Sequence, residues 1–353
     1  MFFSRIFPTA TTGERPRGRW AYFLRFFLTV AILAILFART ESSQMASAVR
    51  GSLGPLLILA FASKSLAFVV STWKWDILLR GIGISEPRWS LLRLYTIGVF
   101  TSAFLPGVIG GDFVRWHLFA SRVGRRAEIA ATIVTERATG AVVLVLLSLP
   151  AATLALPVVG ALQIISLLGV SLAVLSCTLG LALNRRLVTV TMYRTRRREV
   201  GRLFRPLYKV HRAFRSLPPR SVLAALAVSV IFYLSVGLTF FLLCRAFEAD
   251  LTFVQAAAVQ ILINLLVLLP ITLGGLGLAQ VGDIYLFGLL GIDATLALSI
   301  SLGRVFISYG YVLIGALFFL QWKKKRSRPA YLGMPSSELE PGVVRGLAKR
   351  GRS

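Results

Sequence analysis

Leu105-Pro106-Gly107-Val108-Ile109-Gly110-Gly111-Asp112 interrupts an otherwise apolar helical run, and Leu269-Pro270-Ile271-Thr272-Leu273-Gly274-Gly275 repeats its L-P-x-x-x-G-G spacing. Proline removes a helix hydrogen bond and paired glycines free the backbone, so each copy is expected to end one half-helix and begin another. The second half-helices are expected to start near Gly111-Asp112 and near Gly275. At bilayer depth, non-helical backbone is tolerated only where protein or a water-filled cavity covers it. Matching interruptions in two halves of a chain therefore point to a binding site.

The surroundings of the motif are those of a membrane protein. Of 353 residues, 56% are hydrophobic, and the mean hydropathy of +0.76 exceeds what a soluble domain carries. Several runs approach the ~20 residues needed to cross a bilayer. The predicted fold is an all-α polytopic membrane protein of six spans, at 20–37, 54–72, 127–149, 160–183, 222–243 and 296–320. Interrupted segments lie at 94–122 and 253–291. A basic segment at 1–19 precedes a single membrane domain at 20–320, and a basic polar tail follows at 321–353. The first run could be read as a signal peptide, because Ala46-Ser47-Ala48 resembles a cleavage site. That site lies far beyond the apolar run, so the run reads as an uncleaved helix.

The net charge of +26 could suggest nucleic acid, but the basic residues sit between apolar runs and not on a soluble surface, so no nucleic-acid partner is expected. Their placement sets an orientation instead. With both termini cytoplasmic, 34 of the 40 Lys and Arg residues fall inside, twelve of them in the loop 184–220, and only Arg39, Arg50 and Arg245 fall outside. That loop is a positive-inside determinant, with binding of anionic lipid as the sharper reading. The orientation holds if 94–122 re-enters from the cytoplasm and 253–291 from the opposite face. The two motif copies then form an inverted repeat whose halves are about 54–149 and 222–320.

Two half-helix N-termini converging at mid-membrane would make an anion site, with phosphate as its natural occupant. Asp112 there either caps its helix or serves a proton- or cation-coupled step. Arg137 and Arg304 lie about midway along their spans, where an unpaired arginine costs at least ~2.5 kcal/mol. Each therefore needs a partner, and Asp112, Asp283 or a substrate phosphate could supply it. Glu136 adjoins Arg137, but neighbours in a helix do not share a face. Lys64 lies two turns from the cytoplasmic end of its span and could snorkel, while Lys74 is placed in the connection that follows. Cys177 and Cys244 read as small buried hydrophobes. His117 and His211 are isolated, so no metal set, nucleophile-base pair or cofactor motif is expected; Gly275-Leu276-Gly277 lacks a preceding strand and has Gln280 where a dinucleotide fingerprint needs glycine.

Leu105-Pro106 with Gly110-Gly111-Asp112 and Arg115, Glu136-Arg137 with Gly140, and Leu269-Pro270 with Gly274-Gly275-Leu276-Gly277 together resemble the flippase-like transmembrane domain of lysylphosphatidylglycerol synthases, over roughly 20–320. Ala279-Gln280 stand where that family usually has an Arg-Glu pair. Only 33 polar residues follow the last predicted span, so the resemblance is to the membrane part without the soluble aminoacyl-transferring domain. The resemblance implies a protein of the bacterial cytoplasmic membrane that moves a phosphate-bearing lipid or lipid-linked intermediate between leaflets. Expected partners are membrane lipids and enzymes of lipid synthesis. An intramembrane lipid-modifying enzyme and a non-transporting partner of a lipid-synthesis complex are the rival readings. Candidate substrate-binding residues are Pro106, Gly110, Gly111, Asp112, Arg115, Glu136, Arg137, Pro270, Gly274, Gly275, Gly277, Gln280, Asp283 and Arg304.

Overall fold

The computed structural model describes residues 54–103, 108–155, 212–267 and 275–327, with Gly169 and Val210. Among these residues the regular structure is helical throughout. The predicted spans 20–37 and 160–183, most of the loop 184–220, the tail from 328, and Pro106, Pro270 and Gly274 lie outside the described residues.

Eight helices follow in order: α1 (Gly54–Gly81), α2 (Arg88–Ser102), α3 (Val108–Val123), α4 (Arg126–Ala155), α5 (Pro219–Ala246), α6 (Phe253–Val267), α7 (Leu278–Leu289) and α8 (Ala294–Ser327). Pro55 and Pro219 sit in the first turns of α1 and α5, where a missing N–H costs nothing. Thr252 and Gln255 close a reciprocal cap on α6, the Thr252 N–H donating to Gln255 Oε1 at 2.9 Å. Asp293 Oδ2 accepts the Thr295 N–H at 2.7 Å at the start of α8.

Four segments are long and apolar enough to cross a membrane: Gly54–Gly81, Arg126–Ala151, Pro219–Ala246 and Ala294–Trp322. They coincide with predicted spans. The other four helices have 15, 16, 15 and 12 residues, about 18–24 Å at 1.5 Å per residue, and none matches a ~30 Å hydrocarbon core. The order is thus long, short, short, long, twice: 28, 15, 16 and 30 residues, then 28, 15, 12 and 34.

The first helices of the two runs lie against each other antiparallel. Ser63 Oγ donates to the Ser235 carbonyl at 3.1 Å, Lys74 Nζ donates to Ser229 Oγ at 3.3 Å, and Gly81 packs on Ser221 and Pro218. The short helix of each run then packs against the last helix of the other. Leu144 and Val145 of α4 meet Leu265 of α6, while Trp89 of α2 stacks edge-on against Phe318 of α8 at 5.7 Å. Gly315 lets α8 approach the Thr96 carbonyl too closely for any side chain. One apolar core gathers around Trp75, Leu91 and Phe119, the other around Phe240, Phe287 and Ile300. Outside these cores, Phe306, Tyr309, Leu313, Leu317 and Leu320 form an exposed stripe at helical spacing along α8. Such a stripe suits contact with acyl chains.

Several boundaries differ from the sequence reading. α1 runs nine residues past Thr72, because Trp75, Leu78 and Leu79 continue its buried face, and Lys74 lies within the helix and not in a connection. The first short helix begins at Arg88, directly after Pro87, and not at 94. α3 begins at Val108, so Gly111 is inside its first turn. α7 begins only at Leu278, because Gly275 and Gly277 both hold left-handed backbone, with φ of +79° and +80°.

Candidate functional site

Two polar clusters interrupt the apolar interior, one in each run of helices. In the first, Asp112 on α3 receives two hydrogen bonds from Arg137 on α4, Nε at 2.6 Å and Nη2 at 2.9 Å, a bidentate pair. One turn further along α3, Arg115 meets Glu136 at 2.7 Å and also approaches Asp112 at 3.3 Å. Charges alternate through Arg137, Asp112, Arg115 and Glu136, and the four sum to zero. Adjacent Glu136 and Arg137 thus each find a partner on the same neighbouring helix.

Burial differs sharply along this chain of charges. The Arg115 and Glu136 side chains are each 2% exposed, whereas Arg137 is 49% exposed. The Arg115 guanidinium lies between the Trp75 and Tyr95 rings, at 4.5 and 4.7 Å from their centroids, which compensates part of its lost hydration. Its Nε is one of two buried side-chain nitrogen or oxygen atoms without a hydrogen bond among the described residues. Lys74 closes the cluster from α1, donating to the Glu136 carbonyl at 3.1 Å and to Ser229.

Gly111 has a steric role here. A Cβ at this position would overlap Gly98 O and Ser102 Oγ, so the glycine is what permits α2 and α3 to touch through backbone. Gly110 beside it is half-buried.

The second cluster surrounds a cavity of about 250 Å³. Its polar lining comes from Lys64 of α1, Thr239 of α5, Gln260 and Asn264 of α6, Gln280 of α7 and Arg304 of α8. The second motif copy contributes Gly275 and Leu276 to the wall, whereas no residue of α3 lines it. Arg304 pairs with Asp283, which is fully buried and also accepts from Ser301. A second hydrogen bond runs from Arg304 to Gln260 Oε1 at 3.4 Å. Asp283 Oδ1 is the other buried side-chain nitrogen or oxygen atom without a hydrogen bond among the described residues. Gln280 Oε1 accepts the Gly277 N–H at 2.6 Å, so the side chain at this position caps α7.

Each last helix is thus tied to the short helix before it by an arginine-aspartate pair, Arg137 with Asp112 and Arg304 with Asp283. Comparison with known proteins agrees with the motif reading: residues 22–315 match the model of the lysylphosphatidylglycerol synthase transmembrane region. The chain belongs to this family. The chain is also similar to a UPF0104 membrane protein of Methanothermobacter thermautotrophicus, 25% identical over 329 residues, covering 85% of this chain and 93% of the relative. No solved structure matches.

Sequence reading did not single out Gln260 and Asn264. Their signal was present, since they are the polar pair at i and i+4 toward the end of the apolar helix α6, and polar groups at such depth need a reason. Lys74 and the Tyr95 and Trp75 faces around Arg115 carry no such signal, because their roles depend on which helices become neighbours.

Proposed function

We propose that this family member moves a phosphate-bearing lipid or lipid-linked intermediate between membrane leaflets, and is not an enzyme. The observation that carries the reading is the cavity lined by Lys64 and Arg304 at the antiparallel contact of α1 with the second run of helices. An inverted repeat supports it. Equivalent helices crossing antiparallel, with each short helix packed on the other run's last helix, is the packing a two-fold axis in the membrane plane would generate. In this reading α2–α3 re-enters from the cytoplasm and α6–α7 from the opposite side, within six crossings of the cytoplasmic membrane with both termini inside. Lipids are the main partners, and enzymes of lipid synthesis the protein partners.

The deciding experiment reconstitutes the purified protein in liposomes containing a head-labelled anionic lipid and adds a membrane-impermeant quencher. Movement is expected to expose label from the inner leaflet, with the lipid recovered chemically unchanged. Label that stays half protected would overturn transport, and a modified lipid would point to catalysis.

Topology gives a separate prediction. Cysteines introduced at 39–50 and at 245–250 are expected to react with impermeant thiol reagents outside intact cells, because basic residues concentrate on the opposite side. Labelling of 200–215 from outside would sink the six-crossing arrangement.

A further inference from the structure

We infer that the second-cluster cavity is a phosphodiester site in which Lys64, and neither mid-span arginine, is the cation that meets the ligand's charge. The inference deepens the transport reading above and rests on it for the lipid's movement, but not for its binding.

The argument begins with which cations are already engaged. Arg304 is held by Asp283, Ser301 and Gln260, and Arg137 is held by Asp112. Lys64 lines the cavity beside Arg304 and, among the described residues, makes no hydrogen bond or ion pair. Its counterpart eleven residues into α5 is Ser229, which is bonded to Lys74, so the other lysine of α1 is satisfied where Lys64 is not. An ammonium offers three donors, and within a span a second cation nearby raises the cost of leaving them unmet. Lys64, Arg304 and Asp283 together leave one positive charge. A phosphodiester carries one negative charge, whereas a phosphate monoester carries about −1.5 to −2 near neutral pH. The charge match therefore favours the diester.

The other walls agree. Gln260 Nε2 donates to Asn264 Oδ1 at 2.9 Å, and the Asn264 amino group has no acceptor among the described residues. A space of about 250 Å³ suits a phosphate with a small polar substituent and is below the ~300–1,000 Å³ that encloses whole drug-sized ligands. Tyr309 belongs both to the cavity wall and to the exposed stripe of Phe306 and Leu313 on α8. The mouth thus meets the acyl-chain face, so a headgroup can enter while its chains remain in the bilayer. A soluble anion has no use for such a mouth.

The test measures binding to the full chain, purified in uncharged detergent, with dihexanoyl phosphatidylglycerol, dihexanoyl phosphatidylcholine and inorganic phosphate as probes. Wild type is expected to prefer the phosphatidylglycerol. Lys64→Gln is expected to weaken that binding roughly 30-fold or more, as loss of a buried charge contact does, and Lys64→Arg to retain most of it. Folded yield of Lys64→Gln, read by size-exclusion chromatography, is expected to match wild type, since no partner is stranded. Equal binding by wild type and Lys64→Gln overturns the inference. Tighter Lys64-dependent binding of inorganic phosphate than of either lipid overturns the lipid assignment and leaves an anion site. Lys64-dependent lipid binding without lipid movement in liposomes leaves the inference standing and removes the transport reading.

Discussion

Gly111→Val is expected to abolish the folded protein, with a loss on the order of 3 kcal/mol or more, read as collapse of the monodisperse peak of a fluorescent fusion. The sequence alone suggests that this glycine keeps N–H groups free for an anion, in which case insertion and folding would survive and only activity would be lost. Packing gives it a different task. A Cβ at Gly111 would overlap Gly98 O, which is backbone in the neighbouring helix and cannot rotate away. Gly98 approaches from the other side, where its own Cβ would stand 3.2 Å from Gly111 O. Ser102 is the second neighbour, and Ser102→Gly removes that overlap but leaves the backbone one. Gly111→Ala combined with Ser102→Gly is therefore expected to remain defective, whereas full rescue would show that the close approach is dispensable. Gly275→Val acts by another route: the residue needs left-handed backbone, costing a β-branched side chain about 1–2 kcal/mol, and its Cβ would meet the Val267 side chain and not a neighbouring backbone. Its folding defect is expected to be the smaller of the two. Because Gly275 also lines the cavity, the loss of lipid binding is expected to exceed the loss of yield.

The contrast between these glycines shows what spacing along a chain conveys. L-P-x-x-x-G-G falls at the junction of the two short helices in each run, and the apolar runs around it coincide with four helices able to cross a membrane. Identical letters nevertheless take different conformations, since Gly111 is helical and Gly275 is not. Positive φ at Gly275 and Gly277 delays the start of α7 to Leu278, whereas α3 is already helical at Gly111. The acids illustrate the same limit. Asp112 follows its motif directly and Asp283 lies eight residues past Gly275, yet both meet the arginine of the next long helix. Sequence could name both acids as partners because an arginine at such depth requires one. It could not separate Arg115–Glu136 from Arg137–Asp112, because all four residues meet at one contact between α3 and α4. Lys64 reads as a snorkelling residue by its distance from a span end. Its place in a cavity becomes visible only when α5 and α8 are set beside it.

The same geometry separates the two mid-span arginines, which look equivalent in sequence. Arg304→Gln is expected to lower folded yield severely, by about 3–5 kcal/mol, because Asp283 is fully buried and would be left as an unpaired carboxylate. Ser301 would still donate to it, but one neutral hydroxyl does not replace a guanidinium. Arg304→Gln with Asp283→Asn removes both charges together and is expected to recover most of the yield, since a missing pair costs far less than a broken one. Arg137→Gln starts from a different position. Arg137 is half exposed, and Asp112 keeps Arg115 at 3.3 Å when Arg137 is gone, so no buried charge is stranded. Its yield is expected to stay near wild type, which makes it the variant whose lipid movement in liposomes can be interpreted directly. Equal yields for Arg304→Gln and Arg137→Gln would mean that burial of Asp283 does not govern assembly. Failure of the double variant to recover would mean that the Arg304 side chain matters for packing beyond its charge. Normal lipid movement by Arg137→Gln would leave the first cluster as a structural tie between α3 and α4, and would concentrate ligand recognition in the cavity around Lys64.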